Sequence, residues 1–198
     1  MMALLALMLI PQGAWAQGDV DYMWYDTSTG KFVKSTVTSG NYTTLTGNSS
    51  ASLADGTTYV VSGSETINAR LDVSGTVNII LCDGATFTAR KGITVSTGVV
   101  LNIYAQSEGT GKLIAYGFDD TKSQGTLYAA IGGAQSGSIR PSTPADYGVV
   151  NIYGGQITAD ASSIAGASGI GAFDYTKSCV TTIYGGNVDA MGGPNNTT

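Results

Sequence analysis

The sequence contains no histidine, and only 9 basic and 14 acidic residues among 198, for a net charge of −5. Without histidine the usual general base near neutral pH and the commonest zinc ligand are both missing, which excludes Ser-His and Cys-His chemistries. The acidic balance supplies no basic footprint for a phosphate backbone, so nucleic acid is not expected as a partner. Charged residues make up 12% of the chain, about half the usual share. Hydrophobic residues still reach 42%, enough for a sizeable core and against a disordered chain. What is abundant is glycine, 28 residues, roughly twice ordinary usage. Such a content argues against a helix-rich fold.

Only the N-terminus carries an uninterrupted apolar run. Met1 to Ile10 is apolar throughout, Pro11 ends it, and Ala14-Trp15-Ala16 places small residues two apart ahead of Gln17. This is the pattern of a signal-peptide core and cleavage site, and it departs from that pattern in having no Lys or Arg ahead of the run. Residues 1–16 are therefore expected to be removed on export, leaving a secreted or cell-surface protein. A run of about ten residues covers only about half a bilayer as a helix. No later stretch is longer, so the mature chain is expected to have no membrane span.

From Tyr59 onward, brief runs of β-branched and apolar residues alternate with Gly, Asp-Gly or Ser-Gly stops. They include Tyr59-Val60-Val61, Val77 to Leu81, Ile93-Thr94-Val95, Val100 to Tyr104 and Lys112 to Ala115. These read as strands of three to six residues, and no later segment shows helical spacing with caps. The chain is expected to be all-β.

Self-similarity sharpens the fold class. The segment Leu71 to Ile80 lies over Ile93 to Tyr104, with Val73 and Val95 at 22 residues and Ile79 and Ile103 at 24. Asn151-Ile152-Tyr153-Gly154-Gly155-Gln156-Ile157 recurs as Thr182-Ile183-Tyr184-Gly185-Gly186-Asn187-Val188, offset by 31. Ala129-Ala130-Ile131-Gly132-Gly133 precedes the first copy, and Ser168-Gly169-Ile170-Gly171-Ala172 the second. The first interval is longer, and its extra residues, with Pro141 and Pro144, belong in a loop. Short strands repeating every 20 to 30 residues or so predict a right-handed parallel β-helix, in which stacked coils bury one another's apolar face.

Alternation then predicts Ile79, Ile103, Ile152 and Ile183 inward, with Ile80, Tyr104, Tyr153 and Tyr184 outward. Residues 58–198 would form the coils. Residues 17–57, which hold a hairpin signal around Asp26 to Gly30, would form a β cap over the first coil, since an open end is an unpaired edge. No such cap follows Met191-Gly192-Gly193-Pro194, from which a longer natural protein is expected.

Candidate chemistry is sparse. Gly169-Ile170-Gly171 and Gly111-Lys112 lack the rest of a phosphate motif and read as turns. Arg70, Asp72, Asp83, Arg90 and Lys91 fall on adjacent coils, the grouping a polysaccharide lyase or hydrolase would use, but turn chemistry accounts for them equally. Asp119 and Asp120 are weak candidates for calcium, beginning a loop whose string Phe118 to Ser123 returns as Phe173 to Ser178. The row of Tyr104, Tyr153 and Tyr184 has two readings. Rings on one face suit the apolar faces of sugars, and the same row can simply tie coil to coil. Cys82 and Cys179 lie about four coils apart, too far for a bridge at strand spacing. Both are expected to be free thiols.

Thr58 to Gly63, Val77 to Ala85, Gly92 to Val95, Leu101 to Tyr104 and the Ala-Ala-Ile-Gly-Gly and Asn-Ile-Tyr-Gly-Gly units together resemble a group of exported gut-bacterial proteins. These are described as carbohydrate-binding-domain or adhesin-like β-helix proteins, and the likeness covers about Met23 to Gly193. More distantly, the architecture and repeat style are similar to the clostridial cellulose- and pectin-binding β-helix family, whose members bind polysaccharide without cleaving it and carry calcium. The resemblance implies a non-catalytic module binding polysaccharide or host glycan, or a structural spacer of an adhesin. It carries over no calcium ligand.

Overall fold

The computed structural model describes residues 18–119, 126–136, 147–171 and 180–194. Among them every regular element is a strand and none is a helix. The expected export segment 1–16, Asp120, Pro141, Pro144, Phe173 to Ser178 and Cys179 lie outside the described residues.

Three sheets built on parallel pairing organise the chain. The first takes Thr43–Thr44, Thr58–Val61, Thr76–Leu81, Val100–Ala105, Val149–Ile152 and Val180–Ile183. A second takes Ser64–Ile67, Thr86–Ala89, Lys112–Tyr116, Gln156–Asp160 and Asn187–Met191. The third takes Ser52–Leu53, Leu71–Val73, Ile93–Thr94, Ile131–Gly132 and Ile170–Gly171. From Thr58 the chain visits the first, second and third sheets in that order and then begins again. Each visit lays a strand beside the previous one in the same sheet.

The registers read from sequence hold. Ile79 pairs with Ile103, Ile103 with Ile152, and Ile152 with Ile183, while Ile131-Gly132 pairs with Ile170-Gly171. Alternation places Val77, Ile79, Leu101, Ile103, Val150 and Ile152 in one apolar cluster, all fully buried. Leu71, Phe87, Ile93, Leu113 and Ile131 from the other two sheets join them. The core therefore lies among the three sheets and runs through successive layers. Ile183 is the exception, 53% exposed, because among the described residues its strand ends the sheet and has a neighbour on one side only. Ile80, expected outward, is buried at 1%. It lies in register with Tyr104 and outside the main core cluster, in a smaller apolar layer on the other side of the sheet.

The segment expected to cap the first coil divides in two. Thr43–Thr44 and Ser52–Leu53 are already strands of the parallel sheets, and Leu45 and Leu53 are fully buried. The hairpin Val20–Asp26 and Lys31–Val37 does not close that end of the stack. Its first strand meets Val100–Ala105 through the antiparallel pair Met23 and Ala105, halfway along the sheet. The neighbouring strand stops pairing at Ile152, and Ala105 at the end of its own strand pairs with Met23. The Asp26 carboxylate fixes the hairpin turn by accepting from the Ser28 amide at 2.9 Å and from the Ser28 and Thr29 hydroxyls. These bonds hold its pKa below the ordinary carboxylate value.

A small antiparallel sheet, Phe118–Asp119, Thr126–Tyr128 and Ala134–Ser136, projects beside the third sheet. No helix among the described residues is long and apolar enough to cross a membrane.

Candidate functional site

The three tyrosines expected to form a row are stacked. Tyr104 and Tyr153 lie 4.6 Å apart between ring centroids at an interplanar angle of 10°, and Tyr153 and Tyr184 lie 4.7 Å apart at the same angle. That separation matches strand spacing and falls in the range of offset stacking. Each ring sits one residue beyond an inward isoleucine, so the parallel register itself builds the column.

The hairpin closes on this column from both ends. Tyr22 meets Tyr104 edge-on at 4.9 Å, and Tyr25 stacks on Tyr184 at 5.2 Å. Phe32 completes the array against Tyr25 at 5.3 Å. Burial raises the pKa of Tyr104 well above the ordinary tyrosine range, with the neighbouring Tyr153 and Tyr22 adding to it. Tyr153 is raised by burial and by Tyr184. Both faces of Tyr153 and both faces of Tyr184 are occupied by other rings. The column therefore offers ring edges and hydroxyls, and its flat faces are not open to a sugar.

The Tyr-Gly-Gly repeat is explained by the same packing. A Cβ on Gly185 would stand 2.7 Å from the Phe32 ring, and Gly186 holds φ +94°, a conformation that other residues rarely adopt. Gly185 admits the hairpin while Gly154 packs against Ala105, and the second glycine of each pair, Gly155 at φ +90° and Gly186, turns the chain.

Beside the column lies an open groove of about 520 Å³. Met23 and Phe32 of the hairpin form one wall, the turn Gln106 to Gly109 another, and the two Gly-Gly turns with Tyr153, Gln156 and Asn187 the rest. Phe32 is the most exposed ring of the aromatic array, at 43%. The turn is held from behind. The Asp83 carboxylate accepts from the amides of Glu108 at 3.2 Å and Thr110 at 3.1 Å, while the Asp83 amide donates to Gln106 Oε1 at 2.9 Å. Gln156 and Asn187 occupy equivalent positions on adjacent strands. Three carboxamides, which both donate and accept, line the groove together with the Phe32 ring.

Of the basic and acidic residues singled out from sequence, Arg70, Lys91 and Asp83 are engaged in structural contacts. Arg70 donates to Thr94 Oγ1 at 2.8 Å and to the carbonyls of Lys91 and Ala129 at 2.7 and 2.8 Å, with its guanidinium 4.5 Å from the Tyr128 ring. Burial pulls its pKa down to about 10, partly offset by Asp72, so it stays charged at neutral pH. Lys91 sits 4.3 Å over the Phe118 ring. Asp72 and Arg90 are exposed, and Asp83 serves the turn just described. Asp119 is exposed at the end of a short strand, and no three His, Cys, Asp or Glu side chains come together among the described residues. Cys82 is a free, half-buried thiol whose pKa is raised by burial and by Asp83. Its expected lack of a bridge to Cys179 involves a residue outside the described ones.

Sequence reasoning missed the groove. Phe32 is remote in the chain and arrives only through the hairpin, which no local pattern placed there. Gln156 and Asn187 stood at matching positions in the aligned repeats, a signal that polar equivalence could have exposed. A second missed feature is a ladder of asparagines. Asn102 donates to Asn78 Oδ1 and Asn151 donates to Asn102 Oδ1, both at 2.9 Å, while Asn78 donates to Thr58 Oγ1 at 3.2 Å.

No family model, no characterised protein and no solved structure matches the chain.

Proposed function

We propose that this chain is an exported, non-catalytic module with a right-handed parallel β-helix fold that binds polysaccharide or host glycan in the groove beside its tyrosine column. The cyclic order of the three sheets and their in-register layers support the fold. The signal-like segment 1–16 supports export. The groove carries the functional reading: an exposed aromatic ring with Gln106 on a turn held by Asp83, and with Gln156 and Asn187 at the starts of adjacent strands, the combination that suits sugar hydroxyls and the apolar face of a pyranose. The absence of histidine and the structural engagements of Arg70, Lys91 and Asp83 support a binding role over a catalytic one.

Presenting the protein to a polysaccharide array tests this. Signal is expected on at least one glycan, and it should fall in Gln156→Ala/Asn187→Ala, which change one half-buried and one exposed side chain at the starts of adjacent strands. A structural or adhesive spacer is the second reading, favoured by one observation: the column spends its ring faces on holding the hairpin. Silence across the array would favour the spacer.

A further inference from the structure

Of the residues lining the groove, Glu108 alone bears a formal charge; no Lys or Arg lines it. The other carboxylate close to this wall, Asp83, lies directly behind the turn that carries Glu108. Lys112 is in register with Gln156 one strand away but does not line the groove. An acidic sugar residue entering here would set its carboxylate near Glu108 and Asp83 with no lining cation to pair it. The groove is open to water, so what acts on that carboxylate is repulsion from like charges with no cation set between them. An uncharged chain meets no such penalty. Its hydroxyls find donors and acceptors in the carboxamides, and a charged carboxylate such as that of Glu108 makes a strong acceptor for them.

We propose that the groove prefers uncharged glycan chains over uronate-bearing ones, with Glu108 as the residue that sets this preference. The proposal rests on the glycan-binding reading above and narrows it to a substrate class. It also separates this module from pectin binding as such, since a polygalacturonate chain presents one carboxylate on every sugar.

A matched pair of probes isolates charge from shape: polygalacturonate and the same polymer after carboxyl reduction, with a mixed-linkage β-glucan and a galactomannan as further neutral chains and alginate as a further acidic one. Native gels cast with each polymer report retardation of the full chain. Retardation is expected in one or more neutral gels, with affinity for the reduced polymer about two- to fivefold above that for polygalacturonate. Glu108→Lys, at an exposed position, should narrow or reverse that ratio while its circular dichroism matches the parent. Equal or stronger retardation by polygalacturonate in the parent protein would overturn the charge selection and leave glycan binding standing. An unchanged ratio in Glu108→Lys would overturn the role given to Glu108. Retardation by no polymer at all would overturn both this proposal and the reading beneath it.

Discussion

The strands of the first sheet present two different surfaces from alternate residues. Val77, Ile79, Leu101, Ile103, Val150 and Ile152 face one way and are wholly buried in an aliphatic core. Asn78, Asn102 and Asn151, followed by Tyr104 and Tyr153, leave the same strands on the other side and stay half-buried. The inner residues gain from removal of apolar area from water, which needs no particular partner. On the outer side the gain comes from directional contacts, amide to amide and ring to ring, which need the parallel register to be correct along its length. One side makes the stack compact, and the other reports its alignment and gives the hairpin a place to bind.

Ile103→Ala should produce the largest effect, because it removes a fully buried side chain in the middle of the stack and leaves a cavity. A loss of about 2 to 5 kcal/mol is expected, read from denaturant midpoints. A loss below that of any outer substitution would break the division between the two sides.

Asn102→Ala comes next. It deletes one donor and one acceptor of the ladder and leaves Asn78 and Asn151 each short of a partner. The cost should be about 1 to 2 kcal/mol, smaller than Ile103→Ala because water reaches the half-exposed groups left behind. A neutral substitution would mean that the ladder follows the register without contributing to it.

Much of the inner surface could be read from the residues, and much of the outer could not. Ile79, Ile103 and Ile152 recur at fixed offsets, and the period-2 alternation of a strand then fixes which way they face. The tyrosine column was legible for the same reason. Its use as a platform for sugars was not, because that depends on whether something covers the rings. The covering groups, Tyr22, Tyr25 and Phe32, sit on a hairpin that docks through the pair of Met23 with Ala105, and no pattern in the hairpin's own sequence encodes that distant partner. The groove escaped notice for the same cause, since one of its walls is the hairpin. The first layer at Thr43–Thr44 and Ser52–Leu53 was missed because two-residue strands are too short to show alternation.

The column also has a signature at high pH. Burial and neighbouring rings raise the ionisation of Tyr104 and Tyr153 above the ordinary value near 10. The folded state thus prefers their protonated form, so their contribution to stability is whole below pH 10 and is lost as pH climbs through the raised values. Phenolate absorbance followed through an alkaline titration should show part of the 11 tyrosines ionising late, together with loss of the fold. Ionisation of all of them in one step near 10 would contradict a buried column.

The most direct test of the account is amide hydrogen exchange in Tyr153→Ala, which removes the central ring and the two stacks it makes. Faster exchange is expected in the hairpin between Val20 and Val37, with the amides of the parallel strands still protected as in the parent. Unchanged protection of the hairpin would contradict the claim that the tyrosine column holds it in place.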